Sequence, residues 1–246
     1  MGAIQQAVLG FKNPAGGGGS TPPVTTNLIL NWDAREVTVA DGAIVQSGDW
    51  LDLSASANHP VNTSGSANSP HYRATGGPGG LASVEFNGNA TNGFFSLTNT
   101  IAPTNCTIFA VCKPSDPNPR TLISGPGTAF QYRTNSLKQD ILSAGTTLYG
   151  SSLTSLSTSV FKQINVTFNN TTRAFAFRLS QASDGSGTGG GSSPAANMNA
   201  VGWNEANVST HEPWLGFISH LLIYNTILSG GDITTMESWL NSEWGV

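Results

Sequence analysis

The acidic side chains are the residues of this chain best suited to hydrolytic chemistry, and their spacing decides whether two of them can act together. A retaining glycosidase needs two carboxyl groups about 5 Å apart. The 14 acidic residues are scattered along the sequence. The closest pairs are Asp49 with Asp52 and Asp33 with Glu36, and this spacing turns the two side chains to opposite faces of a strand. The sequence therefore predicts a protein that is not an enzyme.

The other side chains that carry chemistry are equally dispersed. No serine stands in a Gly-x-Ser-x-Gly elbow before a helix, and the glycine runs near residues 185–191 are not followed by a helix that could hold phosphate. The four histidines lack the spacing of zinc ligands. We expect His220 to be a hydrogen-bonded core or interface residue. No cofactor is predicted, and a structural calcium ion held by loop oxygens remains open.

Recognition of a sugar is the chemistry that the remaining residues favour. An aromatic ring can stack on the apolar face of a pyranose while nearby polar side chains hydrogen-bond to its hydroxyl groups. One segment near the C-terminus offers this combination. Its candidate glycan-binding residues are Trp203, Asn204, Glu205, Asn207, His211 and Trp214. The alternative is that Trp203 ends a strand and is buried, with an ordinary polar turn after it.

A second candidate surface lies in residues 54–81, which are rich in Ser, Asn, Gly and Pro. A loop of this length is uncommon in a compact domain and often carries function. Within it, His71 and Tyr72 are the candidate glycan-binding residues.

The elements that position these residues are strands, with one helix at the end of the chain. Residues 217–224 form an apolar, β-rich run that predicts a central sandwich strand. Ser229 and Asp232 predict a helix N-terminus with a capping box, and Gly245 predicts its C-terminal cap. The helix should bury one stripe of apolar residues, namely Ile233, Met236, Leu240 and Trp244. Most earlier segments read as short strands, while residues 181–197 predict a mobile loop.

Several of these segments resemble laminin-G-like, concanavalin A-type jelly-roll domains. The resemblance is carried by LILNWDA (28–34), DG (41–42), WLDLS (50–54), VEFNG (84–88), CTIFAV (106–111), GFI (216–218), LLIYN (221–225), LS (228–229), Ile233 and WLNSEWG (239–245). His220 departs from it, because the family often has an acidic residue at that position. It implies an all-β antiparallel β-sandwich with one short C-terminal α-helix. It also implies a lectin, an adhesion module, a non-catalytic part of a glycosidase or a phage virion protein.

Composition narrows the class of protein and its partners. With 246 residues, the chain is long enough for one full β-sandwich domain, which we place at residues 27–246. A net charge of −4 without a basic cluster argues against nucleic acid, and no apolar segment is long enough for membrane insertion. Cys106 and Cys112 lie roughly 20 Å apart on one predicted strand, so we expect buried free thiols.

The N-terminus predicts an attachment device. Residues 1–13 form a docking peptide whose candidate contact residues are Ile4, Val8, Leu9 and Phe11, and residues 14–26 form a Gly/Pro-rich linker. The segment lacks the features of a signal peptide. We therefore predict a bacteriophage virion protein, a capsid decoration or tail protein. It would bind other virion proteins through residues 1–23 and host-surface glycans through its lectin-like domain.

The sequence leaves one functional alternative. The chain could be a carbohydrate-binding or adhesion module of a secreted bacterial protein. A homo-oligomer is compatible with either function, because many copies would strengthen weak sugar contacts.

Overall fold

The computed structural model describes residues 19–62, 64–89, 91–125, 130–143, 147–190, 197–203 and 212–246. In this part of the chain, two antiparallel sheets stack as a sandwich and one α-helix follows the last strand. The prediction of an all-β jelly-roll sandwich with a short C-terminal helix is confirmed.

The first sheet has eight strands in the described residues. Seven follow one another in the order β13-β12-β11-β6-β15-β4-β3, and β1 also pairs with β15. The strands are β1 (Leu28–Asp33), β3 (His71–Arg73), β4 (Ser83–Asn87), β6 (Asn105–Pro114), β11 (Lys162–Asn169), β12 (Ala174–Leu179), β13 (Ala182–Thr188) and β15 (Leu215–Tyr224).

The second sheet has seven strands within the described ranges, in the order β10-β9-β8-β7-β14-β5-β2. These are β2 (Pro60–Val61), β5 (Phe95–Ile101), β7 (Arg120–Ser124), β8 (Phe130–Asn135), β9 (Lys138–Ser143), β10 (Thr147–Ser151) and β14 (Met198–Val201). The main core fills the space between the two sheets.

Strand β15 lies at the centre of the eight-stranded sheet. One edge pairs with β6, while the other pairs first with β4 and then with β1. Ile218 and Ile223 face the main core, whereas Leu222 and Tyr224 face a second core on the outer side of the sheet. Burial on both faces explains why this strand is apolar apart from the buried Ser219 and His220.

Helix α1 (Gly230–Trp244) covers that second core with the predicted apolar stripe. The Ser229 hydroxyl accepts the Asp232 N–H at 3.1 Å and donates to the Asp232 carboxylate at 2.8 Å. Gly245 ends the helix in the left-handed conformation, with φ 67°. Both predicted caps are therefore confirmed, although the Asp232 carboxylate engages the hydroxyl of Ser229. Trp239 packs against the second core and is half-buried.

Two segments predicted as loops contain strands. Residues 54–81 include β2 and β3, and residues 181–197 include β13. The glycine-rich β13 pairs with β12 at the edge of the sheet, where few side chains are needed for packing. A Cβ atom added to Gly189 would lie 1.7 Å from the Tyr149 ring, so glycine lets that ring lie against the backbone. Composition alone hides such an edge strand.

The described part of the predicted linker, residues 19–26, lies against helix α1. The Ser20 hydroxyl donates to Glu243 at 2.6 Å and accepts the Trp239 indole N–H at 2.7 Å. The Tyr224 hydroxyl donates to the Val24 carbonyl at 2.8 Å. Residues 20–24 are thus part of the folded domain.

A buried ionic junction lies between the sandwich and the helix, next to residues 20–24. It is formed by Arg35, Asp33 and Glu243. The Arg35 guanidinium contacts Asp33 at 2.6 Å and Glu243 at 2.7 Å, and it lies 4.5 Å from the centre of the Trp244 ring. Burial alone would raise the pKa of Glu243, but hydrogen bonds from Ser20 and Arg35 outweigh it and hold that pKa at about 2. Arg35 is therefore the single cation that two carboxylates share.

His220 is next to this junction and is buried, as predicted. The Trp244 indole N–H donates to His220 Nδ1 at 3.1 Å, so this nitrogen is unprotonated, and Nε2 lies 2.8 Å from Asn31 Oδ1. Burial lowers the pKa of His220 to about 4, although Asp33 opposes the shift. The imidazole is thus neutral at pH 7. Cys106 and Cys112 are also free and buried, as expected, and burial raises the pKa of each thiol to about 12.

Candidate functional site

The candidate site residues with a partly accessible aromatic ring lie where β14 leaves the seven-stranded sheet. The Gly202 N–H donates to the Leu122 carbonyl, the Thr121 N–H donates to the Glu212 carbonyl, and the Trp214 N–H donates to the Gly202 carbonyl. The two ends of segment 203–212 are therefore fixed on β7. Four predicted residues, Asn204, Glu205, Asn207 and His211, lie outside the described residues and stay predictions.

Trp203 forms an aromatic pair with Phe94 at this end of the sheet. The two rings are stacked, with centroids 4.4 Å apart and planes 16° apart, and both side chains are half-buried. The Ser124 hydroxyl donates to the Trp203 carbonyl at 2.6 Å. Trp203 does follow a strand, but it remains partly accessible, which is what a stacking platform requires. We call this the aromatic pair.

Phe94 was missed by reasoning from the sequence. It immediately precedes β5, and Phe95 beside it is fully buried in the main core. Successive side chains of a strand point to opposite faces, so the Phe94–Phe95 doublet itself indicates that one of the two rings faces outward.

A polar row lies on the same sheet, on strands β7, β8 and β9. Phe130 and Tyr132 belong to the main core, so Gln131 and Arg133 between and after them face away from it. The Gln131 amide donates to Thr121 Oγ1 and to Glu212 Oε2, each at 2.6 Å. We call Thr121, Gln131, Arg133, Asp140 and Glu212 the polar row.

Arg133 links the two carboxylates of the polar row. It forms an ion pair with Glu212, and its Nε lies 3.6 Å from Asp140 Oδ2. Burial raises the pKa of Asp140, against the opposing effects of a Ser151 hydrogen bond and the Arg133 charge. Two carboxylates thus share one guanidinium, so this part of the sheet carries excess negative charge when both are ionised.

Two acceptor atoms of the polar row lack a partner. Gln131 Oε1 and Asp140 Oδ1 are buried without a hydrogen bond to any part of the chain that the structure describes. Buried polar atoms are usually paired with protein groups or ordered water. Arg133 Nε is buried without a partner in the same way, and atoms shielded from solvent to this degree suit an ordered water molecule.

Two of the predicted glycan-binding residues are wrong, because their rings are buried. Trp214 is fully buried in the main core, and Tyr72 is 7% exposed. Tyr72 is the central residue of β3, whose alternation turns its ring inward and leaves His71 half-buried on the other face. His71 pairs with Glu85 in the eight-stranded sheet. The structure therefore does not bring His71 together with Trp203.

The remaining predictions about partners are untested by these contacts. The docking residues Ile4, Val8, Leu9 and Phe11 lie outside the described residues. Across the described ranges, no three His, Cys, Asp or Glu side chains are grouped as a metal site, and no helix is long and apolar enough to span a membrane. A calcium ion held by backbone oxygens stays a prediction.

Comparison with known proteins identifies relatives by fold. Neither a protein-family model nor a curated protein sequence matches the chain. Domain 4 of AbnA, a GH43 extracellular arabinanase from Geobacillus stearothermophilus solved with arabinotriose, matches with a TM-score of 0.58 and 14% identity. The match covers 86% of this chain and 98% of that domain.

Two other solved structures have the same architecture. The botulinum neurotoxin type G receptor binding domain matches with a TM-score of 0.59 and 13% identity, over 89% of this chain and 54% of that one. A native heptameric SAP-like pentraxin from Limulus polyphemus matches with a TM-score of 0.51 and 14% identity, over 63% and 81% respectively. At these identities the likeness shows a shared β-sandwich fold.

Proposed function

We propose that this protein is a carbohydrate-binding module that holds its glycan at the aromatic pair. The observation that carries the proposal is the half-buried stack of Phe94 and Trp203, centroids 4.4 Å apart, on the sheet that also bears the polar row. A stacked, partly accessible pair offers a rigid apolar surface to the C–H face of a sugar ring. Arg133 and Glu212 are the two side chains of the polar row that are partly accessible, each 11% exposed, and they can fix the orientation of hydroxyl groups.

The charges of the polar row favour neutral glycans. Asp140 and Glu212 share the single guanidinium of Arg133. An acidic sugar would add a further negative charge beside this group, whereas a neutral sugar presents hydroxyl donors that acceptors can use. We therefore propose neutral oligosaccharides as the ligand class.

The comparisons support this function without deciding it. The arabinanase domain was solved with arabinotriose, so the shared fold is compatible with a bound neutral oligosaccharide. A fold of this kind hosts many functions. The argument for this chain therefore rests on the aromatic pair and the polar row.

A glycan microarray with wild-type protein and the Trp203→Ala variant tests the proposal. We expect binding to neutral glycans that the variant weakens at least about ten-fold, because the stacking surface is lost. Trp239→Ala is the matched control: Trp239 is also half-buried but lies on helix α1, on the other sheet. Binding retained by Trp203→Ala, or lost equally in both variants, would contradict the assignment.

We also propose, as a finer hypothesis, that residues 1–23 attach this module to a virion or another assembly. Ser20 ties the segment to Glu243 of helix α1, and the Val24 carbonyl beside it accepts a hydrogen bond from Tyr224 of β15, on the outer side of the eight-stranded sheet. The aromatic pair lies on the seven-stranded sheet, so anchoring through the N-terminus would leave the glycan surface directed outward. The alternative, a module of a secreted bacterial protein, uses the same geometry.

Deleting residues 1–18 tests this attachment while keeping the contacts of Ser20 and Val24. We expect native mass spectrometry to show assemblies of the full chain that the shortened chain does not form, while both retain the same circular dichroism spectrum. Identical oligomeric states for the two chains would count against a docking peptide.

A further inference from the structure

A second concave surface lies at the opposite end of β5 from the aromatic pair. It is an open cleft of about 410 Å³ between the two sheets, where β1 begins and where β5 and β15 end. Ile29 and Ile101 contribute apolar surface, and Ser56, Asn99, Thr100 and Asn225 contribute polar groups. The volume falls within the range of small-molecule sites.

Asn58 forms one wall of the cleft and is held in place by hydrogen bonds. Its side chain is buried, with 3% of the residue exposed. Its side-chain amide donates to the Asn99 carbonyl and its amide oxygen accepts the Asn99 N–H, both at 2.8 Å. Its own N–H donates to Asp52 Oδ2 at 2.6 Å, and Asp52 Oδ1 accepts the Asn31 N–H at 2.8 Å. This chain of hydrogen bonds connects β5 to β1. A wall fixed in this way needs no ordering when a ligand binds.

The polar groups that remain available are uncharged. Asn99, Thr100 and Asn225 are exposed, and none of the residues lining the cleft is acidic or basic. Each asparagine amide can donate two hydrogen bonds and accept two. A phosphate or a carboxylate would find no cation among the lining residues that the structure describes. A sugar unit fits both the apolar surface and the amide groups, since it carries hydroxyl groups around a C–H face.

We propose that this cleft is a second saccharide site that takes one or two neutral sugar units. It extends the proposed function, because the two sites would lie at opposite ends of β5. That strand has seven residues, which corresponds to roughly 20 Å. Two sites at this separation let one domain hold two glycan chains, or two parts of one chain, and thereby gain affinity by avidity.

The test is a residue-resolved NMR titration of the full chain with methyl α-D-glucopyranoside, methyl β-D-galactopyranoside and arabinotriose, each in the millimolar range. The side-chain amide signals of Asn99 and Asn225 report on the cleft, and the Trp203 indole signal reports on the aromatic pair. Ala102→Trp fills the cleft from an exposed lining position. Thr158→Trp places the same ring at an exposed position elsewhere.

We expect at least one sugar to shift the Asn99 and Asn225 signals saturably, in wild-type protein and in Thr158→Trp. The affinity read from Asn99 should fall at least about ten-fold in Ala102→Trp and in the milder Asn225→Ala. A shift of the Trp203 indole signal alone would contradict the proposal of a second site in the cleft. The proposed function at the aromatic pair would then still stand. Shifts of Asn99 and Asn225 alone would support the cleft and count against the aromatic pair. No shift at either place with any of the three sugars would overturn both.

Discussion

Replacing Arg35 with methionine is expected to lower the free energy of unfolding by about 3–5 kcal/mol. The Arg35 and Asp33 side chains are 8% and 2% exposed, and Arg35 also pairs with Glu243. Methionine retains packing against Trp244 but leaves two carboxylates without their cation. Removing one partner of a buried ion pair is costly because the remaining charge stays away from water.

Urea unfolding measures this effect, and Arg73→Met is its matched control. Arg73 pairs with Glu85 at the same distance of 2.6 Å, but these side chains are 40% and 34% exposed. An ion pair this open to water contributes about 0–1 kcal/mol. An equal loss of unfolding free energy in the two variants would show that burial does not make the Arg35 ion pairs more stabilising than an exposed pair.

Lowering the pH from 7 to 5 is expected to reduce the free energy of unfolding by about 2 kcal/mol through His220 alone. In the folded state this imidazole stays neutral down to its pKa of about 4. In the unfolded chain a histidine binds a proton near pH 6.5. Between these values the unfolded state binds more protons, so stability falls as the pH falls.

The groups around His220 do not reverse this direction. Asp33, 3.9 Å from Nδ1, and Glu243 favour the protonated form, whereas burial and Arg35 oppose it more strongly. Glu243, with its pKa of about 2, begins to lose its own contribution only below this pH window.

Unfolding curves at pH 7 and pH 5 for wild-type protein and His220→Gln measure the contribution. Glutamine offers an oxygen to the Trp244 indole but does not titrate, so the variant should be less stable at pH 7 and should lose about 2 kcal/mol less on acidification. The same pH dependence in both proteins would show that another group is responsible.

The closing unit of the fold could be predicted from sequence because its signals are local. The run of residues in β15 is apolar on both faces, and Ser229 and Gly245 mark the ends of helix α1. Strand β13 could not be predicted from sequence, because a Gly/Ser-rich edge strand has the composition of a loop. Its pairing depends on β12 beside it, whose Phe175 ring covers Gly187.

The candidate site was only partly accessible from sequence, since its residues are far apart along the chain. Trp203 was identified from its type and neighbours. Gln131 meets Glu212 across 81 positions, a contact that depends on the pairing of β7 with β8 and on the path after β14. Trp214 was assigned to the site because its type suits sugar binding, but its position before β15 buries the ring.

The central claim is that a neutral glycan stacks on the aromatic pair, and one measurement tests it directly. The six tryptophans give separate indole N–H signals in an NMR spectrum, and Trp203→Ala assigns the signal of Trp203. Titration with the strongest neutral glycan from the microarray should shift the Trp203 indole and the Phe94 amide saturably, and leave the Trp239 indole unchanged. Saturable binding that leaves Trp203 and Phe94 unmoved would contradict the account.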